Sequence, residues 1–389
     1  MATPTRALPD LADQITSESA TDDRFDRARR SIGLLAGPCL ALGVYAWSDA
    51  LDAPQRSLAA VLTFVVVFWV TEAIPIPVTA ILGLALAVAA GVAPSAEVFG
   101  AFSSPVIFLF IGSFIIARAM TIHGLGRRFA FRVLALPGVA RSTYTIIIAF
   151  GVCAALLSSV ISNTAAVAML LPIALGVLQA VRELLPADVR DQARLRLGTA
   201  LMLMTAYGAS VGGLLTPIGS PPNLIGRAFI AELAGVDIGF LDWMLLALPI
   251  VAAMFAVLCV LLLLLNRPEV RRLEGAEDYI RRERAALGPL SRAERNTLAA
   301  FAVAVALWTS PGIVGLILGD SSAAAELLRD RLDEGVVAIL AASLLFLLPV
   351  DWTQRRFTLD WEQAVRIDWG TVLLFGSGIA LGTLLSSTG

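Results

Sequence analysis

Long apolar stretches, separated by short polar connections, run through most of this sequence. At least eight of them approach the length of about 20 apolar residues that a helix needs to cross a lipid bilayer. The clearest cover residues 57–71, 77–92, 105–122, 243–265, 298–318 and 370–386. Most hold too few charged residues for helices that lie on a membrane surface. The pattern therefore predicts an all-α integral membrane protein that lies in the lipid bilayer.

Composition and charge narrow the function classes further. The 389 residues are 58% hydrophobic and 15% charged, with a mean hydropathy of +0.81. One soluble core could not hide that much apolar surface. The net charge of −2 argues against a nucleic-acid partner. Three cysteines without CxxC spacing and a single histidine support no disulfide framework, zinc site or catalytic centre.

Arginines are concentrated in a few polar connections, which predicts the orientation of the chain. Residues 1–30 are polar and end in a basic run, so we expect a disordered cytoplasmic tail before a first span at 31–49. Arginines also cluster at 127–141, 182–196 and 266–295, whereas connections 93–104 and 232–242 contain none. The positive-inside rule places the first set in the cytoplasm and the second outside. Residues 266–297 then form a cytoplasmic arginine-rich linker.

Residues 142–181 form an apolar segment between two connections that are both predicted to be cytoplasmic, so the chain must enter the membrane and return. The middle of the segment, Ser158 to Thr164, is polar. Each arm has about 16 apolar residues, or roughly 24 Å of helix, which is short of the hydrocarbon thickness. We therefore expect a re-entrant hairpin with its tip inside the membrane; a tight external turn between two full spans is the alternative. Polar backbone at that depth needs a protein or aqueous environment, so the tip is a candidate binding site.

Residues 199–233 form a second apolar segment that is too long for one ordinary span. It contains the possible helix breakers Gly208, Gly212, Gly213, Thr216, Pro217 and the run from Gly219 to Asn223. We expect two half-helices, the second capped by Ser220 and beginning at Pro221. A single helix kinked by proline is the alternative.

Two interrupted helices side by side offer a chemical use for the free backbone groups at their ends. A half-helix N-terminus carries about half a positive charge, which suits an anion, and carbonyls at the C-termini suit a hard cation such as sodium. Membrane-embedded carboxylates for a proton relay are missing, and Glu72 is the nearest candidate. Sodium coupling or anion exchange is therefore favoured over proton coupling. We expect Arg118 and Arg227 to extend toward a membrane interface.

Two pairs of segments indicate an internal repeat. Residues 78–92 match 336–350, and residues 108–124 match 373–389, in the same order and at similar spacing. Because the two copies cross the membrane in opposite senses, the repeat is inverted, which is typical of transporters. The second copy reaches Gly389 before any counterpart of the hairpin tip, so we expect this chain to be a fragment.

The repeat predicts a division of the chain into domains. Scaffold helices of the first repeat cover 31–141. A transport domain covers 142–265, made of the hairpin at 142–181, the broken helix at 199–233 and a helix at 243–265. After the linker, incomplete scaffold helices of the second repeat cover 298–389.

Four motifs carry a resemblance to a known family. Ser162-Asn163-Thr164 is followed by AAVAMLLPIA, and residues 216–226 read TPIGSPPNLIG; the earlier motifs are WVTEAIP at 69–75 and PVIFLF at 105–110. At these residues the chain resembles the divalent anion:sodium symporter (DASS) family, over roughly residues 60–389. The resemblance implies an inverted-repeat, ion-transporter-like fold of the elevator type, in which a transport domain slides past a fixed scaffold in a homodimer.

The resemblance also implies a function and its site. It implies transport of C4-dicarboxylates, citrate or sulfate with Na⁺ as coupling ion and no organic cofactor, by a multi-pass protein of the cell (inner) membrane with a cytoplasmic N-terminus. The substrate-binding residues it implies are Ser162, Asn163, Thr164, Ser220, Pro222 and Asn223. The sodium-binding residues it implies are Ser158, Ser162, Asn163, Gly212 and Gly213. The residues of a second sodium site have no counterpart in this sequence.

Other functions stay open on the sequence alone. A sodium-independent anion exchanger, a proton-coupled carrier or a carrier of another oxyanion could use the same broken helices. A membrane-embedded enzyme would need a catalytic constellation that is not visible in the sequence. A channel would show steady conductance in place of saturable uptake.

Overall fold

The structure is a computed structural model that describes residues 8–184, 187–268, 276–319 and 321–388. Its first helices are α1 Leu8–Trp47, α2 Ala53–Thr71, α3 Ile76–Ala89, α4 Ser95–Gly100, α5 Pro105–Ile122, α6 Leu125–Leu134, α7 Thr143–Ser158, α8 Asn163–Leu184 and α9 Ala187–Gly212. They are followed by α10 Pro221–Ala234, α11 Phe240–Leu265, α12 Ala276–Ala286, α13 Arg292–Leu318, α14 Ala323–Arg331, α15 Glu334–Leu347, α16 Trp361–Ala364 and α17 Trp369–Thr388. Short 3₁₀ turns cover Ala101–Ser103 and Val139–Arg141, and strands β1 Pro349–Asp351 and β2 Arg356–Phe357 form an antiparallel hairpin.

Several helices have the length and composition of membrane spans. Among the described residues, the six that qualify on both grounds are Ala53–Thr71, Pro105–Ile122, Asn163–Val181, Phe240–Leu265, Arg292–Leu318 and Trp369–Thr388. The shorter apolar helices α3, α7 and α15 accompany them. The prediction of an all-α membrane protein is confirmed.

The N-terminal segment differs from its prediction. Residues 1–30 are expected to be a disordered tail, but α1 begins at Leu8 and continues to Trp47; residues 1–7 lie outside the described part. The reason lies in helix propensity, because residues 8–30 contain no glycine and their one proline, Pro9, falls in the first turn. The apolar helix that follows can therefore extend backward through this polar stretch.

One compact unit combines residues 1–104 with 369–389, and the structure describes 8–104 and 369–388 of it. In it α1 packs on α2, α2 on α3, and α3 on α17. Its core is formed by Leu58, Val61, Phe64, Val65, Phe68, Leu84, Ala87, Val92, Val98, Ala380, Leu381 and Leu384. Glu72, the nearest candidate for a proton relay, ends α2 and pairs with Arg29 at 2.9 Å.

The second compact unit covers Pro105–Asp368. In it α5 packs along α15, α7 lies against α8 and α9, and α13 contacts α5 and α15. The backbones of α5 and α15 lie close together, since a Cβ on Gly112 would reach within 2.6 Å of the Ala338 carbonyl oxygen. The hairpin α7–α8, the interrupted helix α9–α10 and their shared core all belong to this unit.

Helix pairing supports the predicted inverted repeat. The matched segments fall on α3 and α15, which are 14 residues each, and on α5 and α17, which are 18 and 20 residues. In one unit α3 packs on α17, and in the other α5 packs on α15. Each copy therefore contributes one helix to either pair, as two-fold-related repeats do. The compact units do not follow the boundaries of the repeats, because α17, from the second repeat, belongs to the unit of the N-terminal helices. The division into scaffold and transport domains stays a prediction.

Candidate functional site

The predicted hairpin is a helix, a turn and a second helix. Helix α7 ends at Ser158 and α8 begins at Asn163, so the turn lies within the predicted polar tip. Ser162 caps α8, because its Oγ accepts a hydrogen bond from the Ala165 amide at 3.3 Å. The turn is therefore formed by residues that the sequence predicted for the tip. The depth of the tip in the membrane stays a prediction.

The two arms of the hairpin are not equal in length, which corrects one part of the prediction. Helix α7 has 16 residues, as expected, but α8 has 22, or about 33 Å. The prediction of a short second arm is wrong because it took the end of the apolar stretch as the end of the helix. The helix continues beyond Val181 through the polar residues up to Leu184.

The second apolar segment is interrupted, as predicted. Helix α9 ends at Gly212 and α10 begins at Pro221, with Ser220 as the extended N-cap residue. The predicted capping position and first helical residue are therefore confirmed, although the Ser220 side chain makes no capping hydrogen bond. The alternative of one proline-kinked helix is excluded by eight residues, 213–220, between the two helices.

Gly208 and Gly212 do not break the helix, contrary to the expectation for this segment. Both lie within α9, where a side chain would collide with α7. A Cβ on Gly208 would lie 2.9 Å from the Gly151 carbonyl oxygen, and a Cβ on Gly212 would overlap the backbone of Ala155. Small residues four apart on both helices thus permit the close approach that is common between membrane helices.

Side-chain and backbone hydrogen bonds join the tip to the interruption. The Thr216 hydroxyl donates to the Ser159 carbonyl oxygen and accepts from the Gly219 amide, the latter at 3.1 Å. Thr216 is buried, so this link is shielded from competing water. The sequence marks Thr216 only as a residue of the interruption; its role as a link depends on the packing of α7 against α9.

Asn223 holds the interruption itself in shape. Its side chain is 3% exposed, and its amide nitrogen donates to the carbonyl oxygens of Gly213 at 2.7 Å and Thr216 at 2.8 Å. Both amide hydrogens are therefore used within the protein. Asn223 therefore has no amide hydrogen left to donate to an anion, as the predicted substrate contact would require.

Oxygen atoms from both interrupted helices converge at one point. The Ser158 hydroxyl donates to Asn163 Oδ1 at 2.5 Å, and a Cβ on Gly213 would collide with the same Asn163 oxygen. A Cβ on Gly219 would lie 2.6 Å from the Gly213 carbonyl oxygen and 2.9 Å and 3.0 Å from those of Ser158 and Ser159. These are neutral, hard oxygen donors, which suit a cation such as sodium. Three of the predicted sodium residues, Ser158, Asn163 and Gly213, are thus brought together, and Gly212 packs on the backbone of Ala155.

The remaining predicted site residues lie at the two helix beginnings. Ser162 and Thr164 are exposed at the start of α8, and at the start of α10 Ser220 is half-buried and Pro222 exposed. First-turn amides of an α-helix lack intrahelical partners, so both beginnings can attract an anion. None of the predicted site residues has an ionisable side chain.

Comparison with known proteins decides the family. A family model described as the sodium:sulfate symporter transmembrane region matches residues 35–389. The chain belongs to this family. The sodium:sulfate symporter match confirms the resemblance to divalent anion:sodium symporters, and it makes the chain a transporter and not an enzyme.

Two curated relatives extend the comparison. The sodium-dependent dicarboxylate transporter SdcS of Staphylococcus saprophyticus is 31% identical over 362 residues, which are 92% of this chain and 68% of the relative. SdcS of Staphylococcus aureus strain USA300 is 30% identical over 366 residues, which are 93% of this chain and 68% of the relative. The alignments therefore include both the hairpin and the interrupted helix.

Proposed function

We propose that this symporter-family protein carries a small divalent anion, a C4-dicarboxylate, citrate or sulfate, across the membrane together with sodium. The family match and the sodium-dependent dicarboxylate transporters among its relatives support this function. The observation that carries it here is the meeting of two helix interruptions through Thr216 and Ser159. That meeting provides oxygen donors on one side and helix beginnings on the other.

Sodium binds, in this proposal, to the oxygen atoms around Asn163. Ser158 and Asn163 contribute side-chain oxygens, and Gly212, Gly213 and Ser162 contribute from the adjoining helix end and turn. The packing of α7 on α9 supports this assignment, because glycine at 212 and 213 leaves room for the close approach. The ligands are neutral, so the cation brings a positive charge that favours a bound anion nearby.

The anion binds, in this proposal, at the first turns of α8 and α10. Ser162, Asn163 and Thr164 face it from the hairpin, and Ser220 and Pro222 face it from the interrupted helix. Two helix N-termini and a bound sodium can offset a doubly negative charge without a buried arginine. For Asn223 we propose a positioning role in place of the predicted contact, since its amide donates to Gly213 and Thr216.

The transport cycle is proposed to be of the elevator type in a homodimer. In it, a transport domain at 142–265 moves relative to scaffold helices at 31–141 and 298–389. We further propose that the protein lies in the cell membrane with a cytoplasmic N-terminus, which the arginine clusters support. Alternating cysteine accessibility on α8 and cross-linking of copies in the membrane would test these two features.

Uptake by purified protein in lipid vesicles tests the function. Labelled succinate, citrate and sulfate are offered with an inward sodium gradient, with potassium in its place, and with a proton gradient alone. We expect saturable uptake only with sodium, and we expect Asn163→Ala to abolish it while leaving the elution volume of the protein unchanged. Uptake that is equal without sodium, or normal in Asn163→Ala, would remove the proposed site from the mechanism.

A further inference from the structure

An apolar groove lies beside the hairpin, outside the proposed sodium and anion site. It is a cavity of about 300 Å³ between α5, α6, the end of α7 and α13. Its walls are almost entirely hydrocarbon, and they include Phe129, Leu156, Leu157, Val160, Leu298 and Phe301. Leu156 and Leu298 are 45% and 37% exposed, so the groove opens to the surroundings of the protein.

Two arginines border the groove, and only one of them is neutralised within the protein. Arg128 is buried and donates to Glu294 at 2.6 Å and to the carbonyl oxygens of Leu287 and Gly288. Arg132, one turn further along α6, also lines the groove and is exposed. Across the described ranges, it has neither an ion-pair nor a hydrogen-bond partner. The groove therefore combines an apolar wall with one free positive charge at its edge.

The placement of α6 indicates where this charge lies relative to the membrane. The helix buries Leu125, Phe131 and Leu134 in the protein core and exposes Arg127 and Arg132, so both arginines lie on its outer face. It also belongs to an arginine cluster that the positive-inside rule assigns to the cytoplasmic side. Anionic headgroups of that leaflet would then lie at the level of Arg132, with their acyl chains beside the apolar groove.

We propose that the groove binds one anionic phospholipid, with its phosphate at Arg132 and an acyl chain along Phe129, Leu156 and Leu298. Charge complementarity decides for an anionic lipid, because a zwitterionic one brings a second positive charge to an edge that is already positive. The acyl chain contacts Leu157 and Val160, which flank the predicted sodium ligand Ser158 on the chain. The lipid therefore braces the end of α7 that carries Ser158; this last step alone rests on the proposed function.

Lipid binding is tested first, independently of transport. The protein is purified in mild detergent, and retained lipid is measured by native mass spectrometry with phosphatidylglycerol, phosphatidylcholine or inorganic phosphate added. Arg132→Gln removes the free charge, Leu298→Trp fills the groove, and Arg292→Gln removes an exposed arginine that does not line it. We expect wild type and Arg292→Gln to retain one phosphatidylglycerol selectively and Arg132→Gln to retain it about fivefold less well. Leu298→Trp should retain neither lipid in the groove.

Each contrary result has a definite meaning. Equal retention of phosphatidylcholine, or unchanged selectivity in Arg132→Gln, overturns the anionic-lipid site. Binding of inorganic phosphate in place of the lipid would show a site for free anions and would also overturn the anionic-lipid site. Arg132 is exposed and Leu298 lies at an open wall, so we expect both variants to fold. A changed elution volume would reveal a variant that has lost lipid because it is misfolded.

The brace on α7 is tested by sodium-dependent uptake in vesicles of the two lipids. We expect faster uptake in phosphatidylglycerol than in phosphatidylcholine for wild type and Arg292→Gln, and no difference for Arg132→Gln. Selective lipid retention with lipid-independent uptake would leave the binding site standing and refute the brace. Absence of uptake in every lipid would refute the proposed function and leave the binding result unaffected.

Discussion

Glycines at the meeting of the two interruptions are needed for different reasons: Gly212 packs on the backbone of α7, whereas Gly219 faces carbonyl oxygens. Three carbonyl oxygens, from Gly213, Ser158 and Ser159, lie within 3.0 Å of the place where its Cβ would be. No side chain fits there without separating the two chain segments. The site therefore depends on a position that offers no functional group of its own.

Gly219→Ala should reduce the apparent affinity for sodium by at least about tenfold, because the three carbonyl oxygens must move apart. The matched control is Gly226→Ala in α10, where a Cβ would meet nothing within 4 Å. Sodium titration of uptake in both variants measures the difference. Similar sodium affinities in the two variants would show that the carbonyl oxygens around Gly219 do not bind the ion.

Asn223 is expected to act on the shape of the site and not on the anion. Asn223→Ala leaves the carbonyl oxygens of Gly213 and Thr216 without their donors in a buried place, so we expect a loss of about 1–3 kcal/mol in stability. Sodium affinity should fall with it, at unchanged selectivity among anions. Asn266→Ala, which removes a single bond of 3.4 Å at a helix end, is the control and should be nearly neutral.

At the scale of elements, α10 is tied to α15 by an ion pair that the sequence did not reveal. Arg227 donates to Glu334 through two bonds of 2.8 Å and 3.1 Å, and both side chains are largely buried, at 13% and 21% exposed. The sequence predicts only that Arg227 extends to a membrane interface, which stays a prediction, and it does not predict the pairing with Glu334 at the start of α15. The pair fixes the half-helix that begins at the interruption.

Arg227→Ala should lower the free energy of unfolding by about 2–3 kcal/mol, since it leaves the Glu334 carboxylate without its partner in a poorly solvated place. Arg281→Ala is the control, because its pairs with Glu277 and Asp278 are exposed and contribute less than about 1 kcal/mol. Thermal unfolding in detergent compares the two. The double variant Arg227→Met, Glu334→Leu should recover most of the lost free energy of unfolding, because no unpaired charge remains. If the double variant were destabilised as much as Arg227→Ala, this account would be contradicted.

The same scale shows what the sequence could and could not predict. Ser220 and Pro221 predicted the start of α10 to the residue, because capping and fixed φ are local properties. Gly208 was misread as a break because glycine favours both a loop and a close helix contact, and only the position of Gly151 distinguishes them. The hydrogen bond of Thr216 to Ser159 and the ion pair of Arg227 with Glu334 were not predicted, because the partners are 57 and 107 residues away in the chain.

For the whole molecule, the repeat accounts for how the two units are built. Helix α3 packs on α17 and α5 packs on α15, so either unit combines segments from both halves of the sequence. The match of residues 78–92 with 336–350 predicted an inverted repeat, whereas the packing of each copy's helices on those of the other is known only from the structure. The compact units themselves were not predicted, because apolar patterning gives spans but not which spans pack together.

The central claim for the whole molecule is that both helix interruptions form one site for sodium and the anion. Its most direct test is labelling of Ala165→Cys, a half-buried position in the first turn of α8 beside the proposed ligands, in a protein whose Cys39, Cys153 and Cys259 are replaced. Leu136→Cys, exposed in a loop, is the control. We expect sodium with succinate to slow labelling at position 165 by at least about tenfold, sodium alone to slow it less, and neither to affect position 136. Equal labelling rates at position 165 with and without sodium and succinate would contradict the account.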